Sequence, residues 1–330
     1  MSFTARVKDE LSRIDGSCDE CAYGELSAIM RICGTLSLRG EDEYFMRMST
    51  ETGSVARVMI KLIHGLFDLD TPMRVQRSNL QRARNYLIDI PDQGKLAGVL
   101  ARLGIIVPGR SQQSGIPTQL LSRRCCRQAF VRGAFMAGGF IADPARDFHL
   151  EIALAREELA QGIVGLLVPF GVDARINHRR GSSVLYVKSF DEVVSLLRLM
   201  GAELSVRDVE KARWVKSLKN EVNRRVNAEL ANQARSIGAA ADQLRLIDDA
   251  ERLVGLKNLP HALKEFCLTR RRNPTVSLAQ LGRFFDPPAS KSAMYHRALR
   301  LERLVDEALD ETHVRTRDDV LTSDLPHPSC

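Results

Sequence analysis

Apolar positions along this chain recur first at helical spacing and then at alternate positions, and that order of periods occurs twice. Glu25 to Cys33 carries apolar Leu26, Ala28, Ile29, Met30 and Ile32, which predicts a helix stopped by a left-handed glycine at Gly34. Strand-like Thr35 to Arg39 and Tyr44 to Ser49 flank Gly40-Glu41-Asp42-Glu43, a hairpin pattern. A helix over Ser54 to Phe67, strands near Met73 to Arg77 and Asn85 to Asp89, and a helix over Leu96 to Leu103 complete the unit. The order restarts at Ala129 to Gly139, with a strand at Phe148 to Leu154 and a hairpin of Ala174 to Asn177 with Val184 to Lys188 around Arg179-Arg180-Gly181-Ser182. Its further helices are Glu157 to Val168 and Asp191 to Met200.

Beyond about Val206 the strand period disappears. Val206 to about Gly255 is nearly free of Gly and Pro, so it reads as helix, with Gly238-Ala239-Ala240-Ala241 as a joint and a fresh amphipathic helix from Asp242. Asn220, Asn223, Asn227 and Asn232 are poor helix formers set among Lys219, Arg224 and Arg225, which leaves two readings open: contacts to DNA phosphates or a partner, or a solvated face. His261 to Arg271 follows as a core-facing helix ended by Asn273-Pro274. Ser277-Leu278-Ala279-Gln280 fits a capping box, and Leu278, Leu281, Phe284 and Phe285 would be the buried side of its helix. After Asp286-Pro287-Pro288-Ala289, Ser290 caps a last helix, Lys291 to Leu304, with Met294, Ala298, Leu301 and Leu304 inward.

Helix, short turn, capped helix is the spacing of a helix-turn-helix, whose second helix enters the major groove. Ser290, Lys291 and Ser292 are placed to meet phosphate or bases, Tyr295, His296 and Arg297 to read base edges, and Arg300 and Arg303 to meet phosphates; Ser277, which opens the preceding helix, is expected among the DNA-binding residues too. Lys219, Asn223, Arg224 and Asn227 are possible further contacts, and Arg270, Arg271 and Arg272 would widen the positive footprint. A helical hairpin with a solvated basic face is the competing reading. The formal charge of +7 and pI near 9.2 favour an anionic partner, nucleic acid first. No stretch has the length and apolarity of a membrane span, and the N-terminus lacks a signal-peptide pattern, so a cytoplasmic, nucleoid-associated protein is expected.

Catalytic chemistry is hard to find. No phosphate-cradling loop, nucleophile elbow or His-Glu-x-x-His zinc spacing occurs. Seven cysteines are an odd number and too sparse for a disulfide framework. Cys18-x-x-Cys21 and the adjacent Cys125-Cys126 offer four thiols for zinc or an iron–sulfur cluster, but neighbouring side chains are expected to diverge, so inert thiols, no metal and no cofactor are the simpler expectation.

The duplicated αββαββα unit resembles the LAGLIDADG homing endonuclease fold, in which two motif helices pack closely, and Ala28, Gly34, Gly133, Ala137, Gly138 and Gly139 are small enough for that approach. Aligned on the motif, Cys33 and Gly138 occupy the places where those enzymes carry metal-binding acids, so no catalytic residue is expected. Glu41, Asp42, Asp143 and Asp147 lie in or near turns and read as caps or solvated acids. The fold class is therefore α+β, a duplicated LAGLIDADG-like domain followed by an all-α helix-turn-helix domain. Expected boundaries are 1–205 (lobes about 1–105 and 117–203), a basic helical linker over 206–240, the helix-turn-helix over 241–309, and a disordered tail over 310–330.

Four segments, Met1 to Arg13, Ala129 to Gly139, Asn220 to Asn227 and Asp286 to Ser292, together resemble the WhiA sporulation and cell-division regulators, across about Met1 to Glu307. The resemblance implies a bacterial regulator that binds double-stranded promoter DNA without nuclease activity, with a helix-turn-helix similar to the promoter-reading domain of sigma factors (region 4). It also implies a WhiB-like iron–sulfur regulator or RNA polymerase as candidate protein partners. Competing classes are a metal-dependent endonuclease using substitute acids, and a scaffold or redox-sensing protein.

Overall fold

A computed structural model describes residues 1–38, 43–77, 84–107, 115–179 and 181–322. The expected turn at Gly40, the acids Glu41 and Asp42, and Arg180 lie outside the described residues. The chain divides into two compact units, Met1–Leu218 and Lys219 onward.

The first unit opens with helix α1 (Phe3–Leu11), capped by the Ser2 hydroxyl, which accepts from the Ala5 N–H at 3.2 Å. The first lobe then runs α2 (Asp19–Cys33), β1 (Gly34–Leu38), β2 (Tyr44–Thr50), α3 (Gly53–Phe67), β3 (Met73–Arg77), β4 (Arg84–Ile90) and α4 (Leu96–Arg102). The second repeats that order as α5 (Arg124–Gly138), β5 (Gly139–Ile141), β6 (Leu150–Leu154), α6 (Glu157–Leu167), β7 (Arg175–Arg179), β8 (Ser182–Val187) and α7 (Phe190–Met200). Each lobe has a four-stranded antiparallel sheet, ordered β1-β2-β4-β3 and β5-β6-β8-β7. The three-residue β5 is too short to show a period, and sequence reading passes over it.

One hydrophobic core runs through both lobes, with Leu26 and Ile29 of α2 and Phe130, Val131 and Phe135 of α5 fully enclosed. The helices touch backbone to backbone: a Cβ on Gly133 would lie 2.4 Å from the Glu25 carbonyl oxygen and 3.2 Å from the Ala28 Cβ. The small residues thus meet the need for close approach, but Gly34 does so differently from expectation. Its φ is −95°, extended rather than left-handed, and glycine is required because a Cβ would lie 2.2 Å from the Met30 carbonyl oxygen. Buried in the helix pair, Arg132 donates to the Glu25 carboxylate. Burial nonetheless holds the Glu25 carboxyl above its usual range, with Arg132 opposing the shift.

Helix α1 ties the lobes together. Thr4 Oγ1 donates to the Ile141 carbonyl at 2.8 Å and accepts from the Ile141 N–H at 3.1 Å, adding a side chain to the free edge of β5. Glu10 accepts from the backbone N–H groups of Leu204 at 2.6 Å and Ser205 at 3.0 Å, capping helix α8 (Glu203–Leu253) from a distant part of the chain.

The 51 residues of α8 form a single helix. The joint expected at Gly238 is absent: the helix continues through it, because i→i−4 bonding is cooperative and one glycine costs only about 1 kcal/mol. The second unit continues with α9 (His261–Arg272), α10 (Leu278–Leu281) and α11 (Lys291–Thr322) around a core of Ile247, Leu263, Phe266, Leu281, Phe285, Met294 and Leu301. The tail expected to be disordered from residue 310 is helical to Thr322, propagated from the anchored start of α11; residues beyond Thr322 lie outside the described ones. Among the described residues no helix is long and apolar enough to cross a membrane.

Candidate nucleic-acid interface

The capping box forms as the sequence requires: Ser277 Oγ accepts from the Gln280 N–H at 3.3 Å, and the Gln280 side-chain oxygen accepts from the Ser277 N–H at 3.0 Å. Ser277 also donates its hydroxyl proton to Gln280 Oε1 at 3.0 Å, so its first duty is to start α10. Ser290 starts α11 likewise, its Oγ accepting from the Ala293 N–H at 3.1 Å. Both helices of the pair thus begin at a capped residue. Gly282 lets the α10 end approach the turn, since a Cβ there would lie 2.1 Å from the Ala289 carbonyl oxygen.

On α11, Met294 and Leu301 are buried, with Ala298 and Leu304 half-buried beside them. Lys291, Ser292, Tyr295, His296, Arg300 and Arg303 are exposed on one connected face. Arg297 departs from the expected outward set. Its guanidinium lies 4.7 Å from the Phe285 ring centroid and 3.7 Å from the Glu265 carboxylate, because a cation over an aromatic face is held where the helix meets its own core. Phe284, expected inside, is 59% exposed: α10 gives way to a tighter 3-10 turn over Gly282–Phe284, which rotates the ring off the buried face.

The arginine run before the helix pair is mostly spoken for. Arg270 is 1% exposed and donates to the carbonyls of Asn273 at 3.2 Å and Val276 at 2.6 Å, holding the α9 end against the loop. Arg271 pairs with Asp248 at 2.7 Å and Glu251 at 2.5 Å. Arg272 alone of the three is exposed. The expected footprint of three charges thus shrinks to one, because a loop with unpaired carbonyls and a helix with two acids take the others. Lys219, Asn223, Arg224 and Asn227 are exposed on α8. Sequence reading did not single out Arg235, which with Asn232, Ser277, Arg270 and Lys291 lines a cleft of about 530 Å³. The signal available was the register of Arg235, one turn after Asn232.

In the first unit, α2 ends at Cys33 and α5 at Gly138. The Cys33 thiol donates to the Ile29 carbonyl at 3.2 Å, and burial pushes it up to about 12, so it stays protonated. Gly138 has no room for a side chain: a Cβ would lie 2.5 Å from the Ala153 carbonyl oxygen and 2.8 Å from Ile32 Cγ2. Beside them Lys8 lines an open cleft of about 570 Å³ with Gly138. Burial lowers the Lys8 ammonium to about 8, with the Glu51 carboxylate opposing the shift. A thiol, a hydrogen and a cation are a poor setting for Mg²⁺, which takes hard oxygen ligands. Asp143 and Asp147 cap their own turn, accepting from the N–H groups of Ala145 at 2.9 Å and Phe148 at 2.8 Å.

At the other end of the same helices the four thiols meet. Cys18 Sγ lies 3.3 Å from Cys21, 3.6 Å from Cys125 and 3.6 Å from Cys126. The expected divergence of Cys125 and Cys126 does not occur, because Cβ atoms in a first helical turn lean toward the N-terminus and both sulfurs reach the point where Cys18 sits. Burial and the three neighbouring sulfurs push the Cys18 thiol up to about 12. Hydrogen bonds, that from Ser17 foremost, bring Cys125 down to about 7.

Three family models match consecutive stretches: the WhiA N-terminal LAGLIDADG-like domain over residues 19–106, the WhiA LAGLIDADG-like domain over 127–219, and the WhiA C-terminal HTH domain over 222–305. Two similar relatives are each named "Probable cell division protein WhiA". That of Heliobacterium modesticaldum is 36% identical over 307 residues, covering 93% of this chain and 96% of the relative. That of Alkaliphilus metalliredigens is 34% identical over 310 residues, covering 93% and 98%. The crystal structure of full-length DUF199/WhiA from Thermatoga maritima shares the fold, with a TM-score of 0.58 at 24% identity over 93% of this chain and 99% of that one. The fold expected from the sequence, a duplicated LAGLIDADG-like domain followed by a helix-turn-helix, is the one found.

Proposed function

The chain belongs to the WhiA family, and from that premise we propose that it is a sequence-specific regulator of cell-division and sporulation genes, bound at promoters and without nuclease activity. The observation that carries the reading is the exposed polar and basic start of α11 on a helix pair whose two starts are fixed by Ser277 and Ser290. In this reading Lys291, Ser292, Tyr295 and His296 meet base edges or adjacent phosphates, while Arg300 and Arg303 hold phosphates. Arg297 serves by setting the seat of α11 against Phe285 and Glu265. Lys219, Asn223, Arg224 and Asn227 supply backbone contacts from α8, and the duplicated domain is a non-cleaving platform. A WhiB-like iron–sulfur regulator or RNA polymerase is the protein partner this reading assigns, with the nucleoid as its place of action.

The experiment is affinity against salt on a promoter duplex, chosen from a genome-wide map of bound sites, and on a random duplex. A regulator keeps a preference for its promoter at every salt, whereas simple charge attraction gives two coincident lines. Coincident lines would sink the proposal.

A further inference from the structure

The four-thiol cluster belongs to the first unit, at the N-terminal ends of the two helices that join the lobes. Cys18 is the N-cap of α2 and Cys21 lies in its first turn, while Cys125 and Cys126 lie in the first turn of α5. All four sulfurs fall within 4.8 Å of one another. Cys21 and Cys126 are buried, and Cys18 and Cys125 half-buried. A tetrahedral ion bound at a Zn–S distance of about 2.3 Å sets its sulfurs about 3.8 Å apart, close to the 3.3 to 3.6 Å around Cys18. An iron–sulfur cluster puts several metal atoms and sulfides between its thiolates and needs a wider cage than this one.

The surroundings suit thiolates. Four thiolates around a divalent ion leave two negative charges, and here two helix N-termini, each the positive end of its dipole, point at them. Neither end is capped by a side-chain hydrogen bond. The Arg123 guanidinium, at the N-cap of α5 and two residues before Cys125, pairs with Glu20 at 3.7 Å. Gly24 keeps the two ends close, since a Cβ there would lie 3.3 Å from the Cys126 carbonyl oxygen.

We propose that Cys18, Cys21, Cys125 and Cys126 form a tetrathiolate site for one tetrahedral divalent ion, zinc, which clamps the N-terminal ends of α2 and α5 and so fixes the two lobes to each other. The ion is structural: with four protein ligands it has no open position for water or substrate. The clamp lies at the opposite end of the helix pair from Cys33 and Gly138, so it confers no nuclease chemistry.

The test is metal analysis of the full-length protein, purified under reducing conditions without added chelator. About one zinc per chain is expected, lost in Cys18→Ser and Cys126→Ser and kept in Cys33→Ser and Cys267→Ser. Because the serine variants could fail to fold, two readouts use the natural protein. Exchange with Co²⁺ should give the ligand-field and sulfur-to-cobalt bands of a tetrahedral four-thiolate site, bleached by zinc. Alkylation mapped by mass spectrometry should find Cys18, Cys21, Cys125 and Cys126 protected until a chelator is added. Metal-free protein that takes up no Co²⁺, disulfides among the four cysteines, or iron with acid-labile sulfide would each overturn the proposal.

Discussion

Replacing Gly133 by alanine adds one methyl at the tightest point of the helix pair. The new Cβ would lie 2.4 Å from the Glu25 carbonyl oxygen, against an ordinary contact of 3.4 Å or more, so the helices must part by about 1 Å there or bend locally. The obstacle is buried backbone, which has no rotamer to change, so the overpacking cost falls near the upper end of about 1–3 kcal/mol. Alanine returns about 1 kcal/mol of helix propensity, leaving a net loss of about 2 kcal/mol. Glu25 is also the acceptor of the buried Arg132 bond, so a shift of its backbone loosens the ion pair as well. The matched control is Gly65→Ala in α3, where the added Cβ meets nothing within 4 Å and the same propensity term gives a gain of about 0.5–1 kcal/mol. Thermal melts followed by far-ultraviolet circular dichroism should show Gly133→Ala melting roughly 4–8 °C lower and Gly65→Ala slightly higher than the natural protein. Equal melting of the two variants would refute the argument that backbone contact dictates this glycine.

Lys8→Met should stabilise the protein at neutral pH by up to roughly 3 kcal/mol, because the buried ammonium titrates near 8 rather than 10.5. The folded state binds fewer protons than the unfolded one between those values, so the natural protein gains stability as pH rises through that window and the variant's advantage shrinks; a constant difference between about pH 7 and 10 argues against it. Arg270→Ala leaves the Asn273 and Val276 carbonyls unpaired and should cost about 2–4 kcal/mol, read as a lower urea midpoint of the second unit. Arg297→Ala should lower stability by about 1 kcal/mol and weaken promoter and random duplexes alike, while Tyr295→Ala relaxes discrimination and Arg303→Ala reduces the salt slope by about 1 on every duplex. Loss of discrimination in Arg297→Ala alone would reverse those roles. Supercoiled plasmid held with Mg²⁺ or Mn²⁺ should stay intact, and reproducible nicking abolished by a chelator would restore an enzymatic reading.

Local patterns were legible in the chain itself. The twice-repeated order of elements, the capping box at Ser277, the second start at Ser290 and the small residues along α2 and α5 rest on short-range periods and caps, which depend on neighbours a few residues away. The absence of acids at Cys33 and Gly138 was legible through the resemblance to the LAGLIDADG motif. The tertiary structure decided what depends on distant partners. Nothing near Arg297 in the chain says that it is held over Phe285 and beside Glu265. Nor does the spacing of Cys18, Cys21, Cys125 and Cys126 reveal four sulfurs within 4.8 Å, since only the packing of two helices far apart in sequence brings them together. A side chain's period is set by its own backbone, but its partner is set by the fold.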